Sequence, residues 1–503
     1  MTAKVLMVQG SSSSAGKSLL VAALCRIYAR RGVRVAPFKA QNMSNNAAVC
    51  LDGSEIGRAQ ALQAAAAGLA PSVDMDPVLI KPEADSHSQI ILMGRPWQTL
   101  QARTYYEKKA LLWERVTAAL DRLRAEYDLV IIEGAGSAAE LNLKRGDIVN
   151  MAVARYAQSP VLLVGDIDRG GIFAQLIGTL WLLEPEERAL VRGLVVNKFR
   201  GDLALFSDGV QILEEKGGVP VLGVVPYLRN LNLPDEDAVA VETSLSAPLS
   251  ASFFQIDIAV LALPRIANFD DFDALKAEAG VNVRYVGSLH DLGSPNAIII
   301  PGTKSTINDL EWLQQSGLAQ ALTQFARAGG AVVGICGGYQ MLGQKIVDLQ
   351  HVESKVDSLA GLKLLPAETK FLQEKATFQA RARIRCKHGW LAGLDGSLVS
   401  GYEIHMGETP SQSNWLKITK RNDDQVNVPD GCISPDGKIW GCYMHGIFAN
   451  DAFRHAWLES LGWQKTERMT SQAESFNQSL NMLADAFEGA LDMKLLEKII
   501  WEN

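Results

Sequence analysis

Cysteine is scarce in this chain: Cys25, Cys50, Cys336, Cys386, Cys432 and Cys442 are the only six in 503 residues. No two of them form a CxxC pair, which excludes a zinc ribbon or a disulfide framework as the basis of the fold. Positive charge is not in excess either, with 49 Lys and Arg against 56 Asp and Glu and a formal net charge of −7. A nucleic-acid partner, which needs a basic face or arm, is therefore not expected. No stretch of about 18 consecutive apolar residues occurs, so no helical membrane span is expected. The opening "MTAKVLMVQG" has an apolar run far too short for a secretory h-region, which makes the cytoplasm the expected location and reduced thiols the expected state. Repeats and low-complexity tracts are also missing.

What is present is the composition of a globular protein, 48% hydrophobic and 21% charged. The length exceeds one ordinary core and predicts two large domains. Short β-type runs at 4–9, 33–38, 128–133, 160–166, 193–197 and 219–226 alternate with helix-period segments such as 17–31 and 104–126. Apolar strands separated by helices imply a parallel sheet covered on both faces. Periodicity is lost in the Ser-, Ala- and Pro-containing stretch after 237 and then restarts with runs at 257–264, 281–287, 296–302 and 331–338. The fold class is thus α/β, with two doubly wound, mostly parallel-sheet domains: 1–237, a linker 238–254, and 255–503.

The first strand runs into "QGSSSSAGKSLL". Gly10 and Gly16 let the backbone of Ser11, Ser12, Ser13, Ser14 and Ala15 fold around an anion, Lys17 adds a cation, and the Ser18 hydroxyl can hold Mg²⁺. The spacing is one residue longer than GxxxxGK[ST] and resembles the dethiobiotin synthetase branch of P-loop proteins. The loop reads as a cradle for ATP or GTP with Mg²⁺. Glu133 ends the strand "DLVIIE" where a Walker-B-like acid would meet the metal. Asn197, after "GLVV", takes the place where such folds read adenine; in isolation it would be a turn residue.

In the second half, "VVGICGGYQMLG" sets one thiol between glycines straight after an apolar run. A core-filling cysteine needs no such frame, since glycine on both sides costs backbone entropy. A nucleophile held at a sharp strand-to-helix turn does, so Cys336 reads as the thiol of a nucleophile elbow. A thiol amidase also needs a base, and His445 in "YMHGIF" follows the strand-like "KIWGCYMH".

Further strings, "PFKAQNMSNNA", "EIGRAQALQAAAAG", "PVLIKPEADSHSQIILMG", "GDIDRGGIFAQLIGT", "NKFRGD", "NFDDFDAL", "PGTKST", "GYEIHMGET" and "GCYMHGIF", run in order over nearly the whole chain. Together they resemble the cobyric acid synthase family, glutamine-dependent amidoligases of corrinoid biosynthesis. The resemblance implies ATP- and glutamine-dependent amidation of the b, d, e and g carboxylates of adenosylcobyrinic acid a,c-diamide. Its partners would be small molecules alone: the corrinoid, ATP and glutamine. It also implies that Glu55 and Glu133 supply metal carboxylates with Ser18, and that Lys39, Gln41 and Asn42 face the carboxylate and the transferring phosphoryl group. Asp166, Asp168 and Arg169 would lie on the active edge, where a structural salt-bridge reading stands beside the functional one. Lys81 and Gln89 would contact substrate. In the amidase half His445 matches the catalytic base, His405 would order the pocket, and the oxyanion hole would combine the Gly337 N–H with backbone around Gly302. The glutamate that most class I amidotransferases carry two residues after the histidine is here Ile447, which leaves the group orienting the imidazole unassigned. Two alternatives stand beside this reading. One is an a,c-diamide synthase or another polycarboxylate amidoligase. The other is a ParA-like partner-binding ATPase with an inactive amidase domain.

Overall fold

The computed structural model describes residues 2–84, 87–228, 231, 233–234, 254–465 and 471–502. The chain divides into two compact units: residues 1–44, 55–233 and 476–503 form one, and residues 45–54 and 234–475 the other. Of the expected linker only Phe254 falls within the described residues.

The first unit is built on six parallel strands in the order Val221–Pro226, Val191–Phe199, Val161–Asp166, Lys4–Gly10, Leu129–Glu133 and Val35–Lys39. Leu129–Glu133 and Val161–Asp166 are buried at every position, as expected where helices cover both faces of a parallel sheet. Four catalytic-type side chains leave this sheet at strand C-termini: Lys39, Glu133, Asp166 and, one residue short of the Val191–Phe199 end, Lys198. Ligands of open α/β sheets bind along this edge. A smaller sheet contains Asn42–Met43, Val78–Ala84, His87–Leu92 and Arg95–Gln101. Lys81 and Gln89 lie directly opposite each other in it.

The expected boundaries need two corrections. Residues 476–503, read with the second domain, belong to the first unit. Helices Gln472–Ala490 and Met493–Trp501 place Leu480, Leu483, Phe487, Leu496, Ile499 and Ile500 in one buried cluster with Leu20, Leu24, Ile27 and Tyr28 of the helix after the glycine loop. At about 1.5–3 kcal/mol for each large apolar side chain taken from water, that packing outweighs any local preference of the segment to stay with its sequence neighbours. Arg31 fixes the helices further through Glu488 and Glu497. The second correction is Asn45–Ser54, which leaves the first unit after Ser44 and is part of the second.

The second unit has a sheet ordered Val281–Val286, Ile256–Leu261, Ala297–Ile300, Ala331–Ile335, Ile439–Cys442 and Cys432–Ile433, parallel except for the last strand. Beside it stands a largely antiparallel sheet that the strand pattern did not reveal. It contains the 17-residue strand Glu368–Ile384, which pairs with Leu398–Glu408 and Leu416–Arg421.

Candidate active site

Ala331–Ile335 ends at the thiol. Cys336 adopts φ +52° and ψ −109°, and the helix Gly337–Leu342 begins at the next residue. A side chain in that region is strained, and strain of this kind presents a nucleophile at a sheet edge. The surrounding glycines have steric reasons. A Cβ on Gly334 would lie 2.6 Å from the Gly338 carbonyl oxygen, and one on Gly338 would lie 2.0 Å from that of Ile300. The turn closes only because both are bare.

His445 follows the neighbouring strand Ile439–Cys442. Its backbone exchanges hydrogen bonds with Tyr402 at 2.9 and 3.1 Å, and its ring stacks on the Tyr402 ring. The imidazole is close enough to the Cys336 sulfur for the two to interact electrostatically. Both side chains are buried, with Cys336 7% exposed and His445 1%. Gly302 lies against them: a Cβ there would stand 2.9 Å from His445 Cε1 and 3.7 Å from the Cys336 Cβ. Gly337 faces the same loop, where a Cβ would meet the Thr303 methyl at 2.8 Å.

The group that orients the imidazole is Asp271. Its Oδ2 lies 2.7 Å from His445 Nδ1, and its Oδ1 accepts from the Gly446 N–H at 2.7 Å. Ile447, where a glutamate is usual, is buried among apolar neighbours instead. Burial opposes a charge on His445, but the Asp271 carboxylate and the Cys336 sulfur outweigh it and push the imidazole pKa up to about 10. The charged imidazolium is the form such a setting favours. The only sequence signal for Asp271 was the string "NFDDFDAL", which offers three aspartates and no geometric reason to choose among them.

His405 is one step removed. Its Nδ1 lies 2.8 Å from the Gly407 carbonyl oxygen, its Nε2 lies 3.3 Å from Glu403 Oε1, and its ring stacks on Tyr443. Burial works against charge on Glu403, yet His405 and the two-pronged Arg421 contact at 2.7 and 2.8 Å hold its pKa below the ordinary range. The same strand supplies the Ile404 carbonyl, 3.5 Å from Cys336 Sγ, so this network fixes a wall of the thiol site.

In the first unit the glycine loop is braced at both ends. Lys17 Nζ donates to the carbonyls of Ser12 and Gly136 at 3.0 and 2.9 Å, and Ser11 N–H donates to Val164 O at 2.9 Å. Ser18 Oγ and Lys39 Nζ reach Glu133 Oε1 at 2.9 and 2.8 Å, and Gln63 donates to its other oxygen. Lys39, Ser18 and Glu133 are thus brought together. Asn197 Nδ2 donates to the Ala15 carbonyl at 2.9 Å, while its Oδ1 accepts from Lys198 N–H; it braces the loop. Lys198 Nζ bridges Ser14 O and Asp166 Oδ2 at 2.7 and 2.9 Å.

The other expected residues make further contacts. Glu55 pairs with Lys81 in a buried ion pair. Asn42 Nδ2 donates to Gln60 at 2.9 Å, and Gln41 accepts from Tyr105. Asp168 pairs with Arg200 at the surface, and Arg169 approaches Asp166 only at 3.6 Å; these contacts are those of the salt-bridge reading. Gln89 Oε1 is buried with no hydrogen-bond partner among the described residues.

The loop fits a nucleotide's phosphates. Gly16 holds φ +93°, a Cβ on Gly10 would touch Lys17 Nζ at 2.8 Å, and the Ser12 hydroxyl is buried without a partner among the described residues. Ser18 Oγ and Glu133 Oε1, 2.9 Å apart, are oxygen donors of the kind Mg²⁺ takes beside phosphate oxygens. No group of three or more His, Cys, Asp or Glu suited to a metal occurs among the described residues. None of their helices is long and apolar enough to cross a membrane.

Two family models match the chain. Residues 6–239 match the CobQ/CobB/MinD/ParA nucleotide binding domain, and residues 257–453 the CobB/CobQ-like glutamine amidotransferase domain. Among curated relatives, a protein of Chloroflexus aggregans named cobyric acid synthase is 57% identical over 99% of each chain. One of that name from Herpetosiphon aurantiacus is 54% identical over 100% of this chain and 99% of its own. Another, from Dehalococcoides mccartyi, is 50% identical over the same shares. Identity of this order along the full length of both chains, over a glycine-loop unit and a thiol unit, places the protein in the cobyric acid synthase family.

Proposed function

We propose that the chain is an ATP- and glutamine-dependent ligase that amidates the b, d, e and g carboxylates of adenosylcobyrinic acid a,c-diamide, using a Cys336–His445 amidase centre oriented by Asp271. The observation that carries this reading is the buried Cys336, His445 and Asp271 constellation in a chain that also holds a braced phosphate loop. A degenerate amidase domain would not keep a strained thiol, a base and an orienting carboxylate in register.

In the amidase half the Cys336 thiolate attacks the side-chain amide carbon of glutamine. His445 delivers its Nε2 proton to the departing nitrogen, the C–N bond breaks, and ammonia leaves a thioester. Water, activated by the now neutral imidazole, cleaves that thioester to glutamate and restores the thiol. Asp271 keeps the proton on Nδ1, so that Nε2 alone exchanges protons. Backbone N–H groups at Gly337 and around Gly302 would stabilise the oxyanion.

In the ligase half, ATP when bound supplies the phosphoryl group that activates a substrate carboxylate for attack by ammonia. Ser11 to Gly16 would wrap the phosphates, Lys17 would neutralise them, and Ser18 with Glu133 would hold Mg²⁺. Lys39, buried beside Glu133, can offset charge on the two anionic reactants that must approach each other. Gln41, Asn42, Lys81, Gln89, Asp166, Asp168 and Arg169 are proposed to shape the corrinoid and phosphoryl region, with Glu55 as a second carboxylate toward the metal and Asn197 at the adenine.

The test is mass spectrometry of a reaction containing adenosylcobyrinic acid a,c-diamide, Mg·ATP and amide-¹⁵N glutamine. Four labelled nitrogens in the corrinoid are expected, and a product with fewer labels, or with none, overturns the substrate assignment. The nucleotide site makes its own prediction. Gly16→Ala would strain a left-handed residue by about 1–2 kcal/mol and push a Cβ to within 2.1 Å of Asn197 Nδ2. ATP binding, measured by calorimetry, should weaken at least about tenfold for a loss of 1.4 kcal/mol or more.

A further inference from the structure

Within the second unit, the segment Asn45–Ser54 lies against the loop that carries Asp271. Ala47 N–H donates to Asn268 Oδ1 at 3.0 Å, and Asn46 Oδ1 accepts from Phe269 N–H at 3.4 Å. Gln379 Nε2 reaches the Val49 carbonyl and ties the segment to the long antiparallel strand. Asn46 is 1% exposed and Asn268 4%. Asn268 has φ +51° and precedes the short turn Phe269–Phe272, which delivers Asp271 to His445. Its other amide end, Nδ2, lies 3.4 Å from His445 Nε2.

The two ends of an amide are not interchangeable. A backbone N–H can only donate, so the Ala47 contact fixes Oδ1 on its own side and leaves Nδ2, a donor, facing Nε2. An acceptor in that place would hold the imidazolium proton and keep it from the leaving nitrogen. A donor cannot. The side chain therefore touches the atom that exchanges protons, the Ala47 N–H decides which of its ends does so, and Asn46 holds the adjoining Phe269 backbone.

We infer that Asn268 is a further catalytic residue of the amidase centre and that the Asn45–Ser54 segment is its positioning clamp, making glutamine hydrolysis depend on a piece of chain drawn from between Asn42 and Glu55. This rests on the reading of Cys336 and His445 as the amidase pair.

Glutamate release from glutamine is measured under full turnover conditions for three variants. Asn268→Gly keeps the left-handed backbone and removes the amide; kcat should fall about 10- to 100-fold with KM for glutamine within twofold. Asn268→Asp keeps the acceptor for Ala47 N–H but turns an acceptor toward Nε2, and it should be at least as impaired as the glycine variant. Asn46→Ala, which leaves Asn268 itself intact, should lower kcat about tenfold, again with KM held. Recovery of wild-type kcat in Asn268→Asp would show that the residue only ties the loop down, and an unchanged kcat in Asn46→Ala would remove the clamp; either result overturns the inference. Thermal melting of each variant separates misfolding from loss of kcat. Glutamate is counted separately from corrinoid labelling, so a failed corrinoid assignment would be seen as glutamate without label.

Discussion

Replacing Cys336 with alanine should abolish glutamate release from glutamine, a loss on the order of 10⁵–10⁶-fold, as for removal of other enzymes' nucleophiles. Amidation of the corrinoid from added ammonium should survive in the same variant. The geometry supports that asymmetry. Cys336 lies within the second unit's core with 7% exposure, and alanine fills the same backbone position with a smaller side chain. The φ of +52° that burdens the wild-type residue burdens alanine equally, so the expected loss is chemical and not conformational. The measurement is product mass spectrometry with labelled glutamine in one reaction and labelled ammonium in another. Equal loss from both nitrogen sources would mean that the thiol serves the whole protein's integrity and is not a glutamine-specific nucleophile.

The second large effect is expected for Asp271→Asn, with kcat for glutamine hydrolysis falling by about 10²–10⁴-fold. An asparagine can still accept from the Gly446 N–H, but its amide nitrogen would then face His445 Nδ1. That donor forces the neutral imidazole to carry its proton on Nε2, where it can no longer take one from the thiol. The pH profile carries the sign. His445 has its pKa raised to about 10 in the folded protein, above the ordinary value near 6.5. Its contribution to stability is therefore complete below about pH 6.5 and is lost as pH rises through about 10. Wild-type hydrolysis should hold up to the approach of pH 10, whereas the variant, without the carboxylate, should fall from a lower pH. Melting temperatures of the two proteins at pH 6 and pH 10 should accordingly converge at the higher pH. A variant with wild-type kcat and pH profile would leave the imidazole oriented by something other than Asp271.

The parts of the site visible in the sequence were those where a short stretch of backbone has to do something unusual. The glycine loop and the elbow at Cys336 each need bare Cα atoms at fixed spacing, because Gly16 would strike Asn197 and Gly338 would strike Ile300 if they carried a Cβ. Lys17, Ser18 and Glu133 follow from strand order, since the strands of a parallel sheet all end at one edge. What stayed hidden depends on pairing over distance. Asp271 reaches His445 across 174 residues, and nothing local distinguishes it from Asp270 or Asp273. Asn45–Ser54 reads as part of the first domain because its neighbours on both sides are. The strand Glu368–Ile384 escaped notice because its burial alternates irregularly, unlike the unbroken apolar runs of the parallel strands. The helices after residue 475 were misplaced for a related reason: amphipathic periodicity shows that a face will be buried, not which core buries it.

That last misplacement bears on how the molecule comes into being. The core around Leu20, Leu24, Ile27 and Tyr28 is completed by Leu480, Phe487, Leu496 and Ile500, a stretch synthesised long after them. Synthesis at about 5–20 residues per second would keep the apolar side of the phosphate-loop helix waiting for tens of seconds while more than four hundred residues are added. The amidase unit, begun later, can close first. The protein's birth order is thus the reverse of its reading order, and a nascent chain halted before residue 476 would carry a hydrolase without a finished ligase.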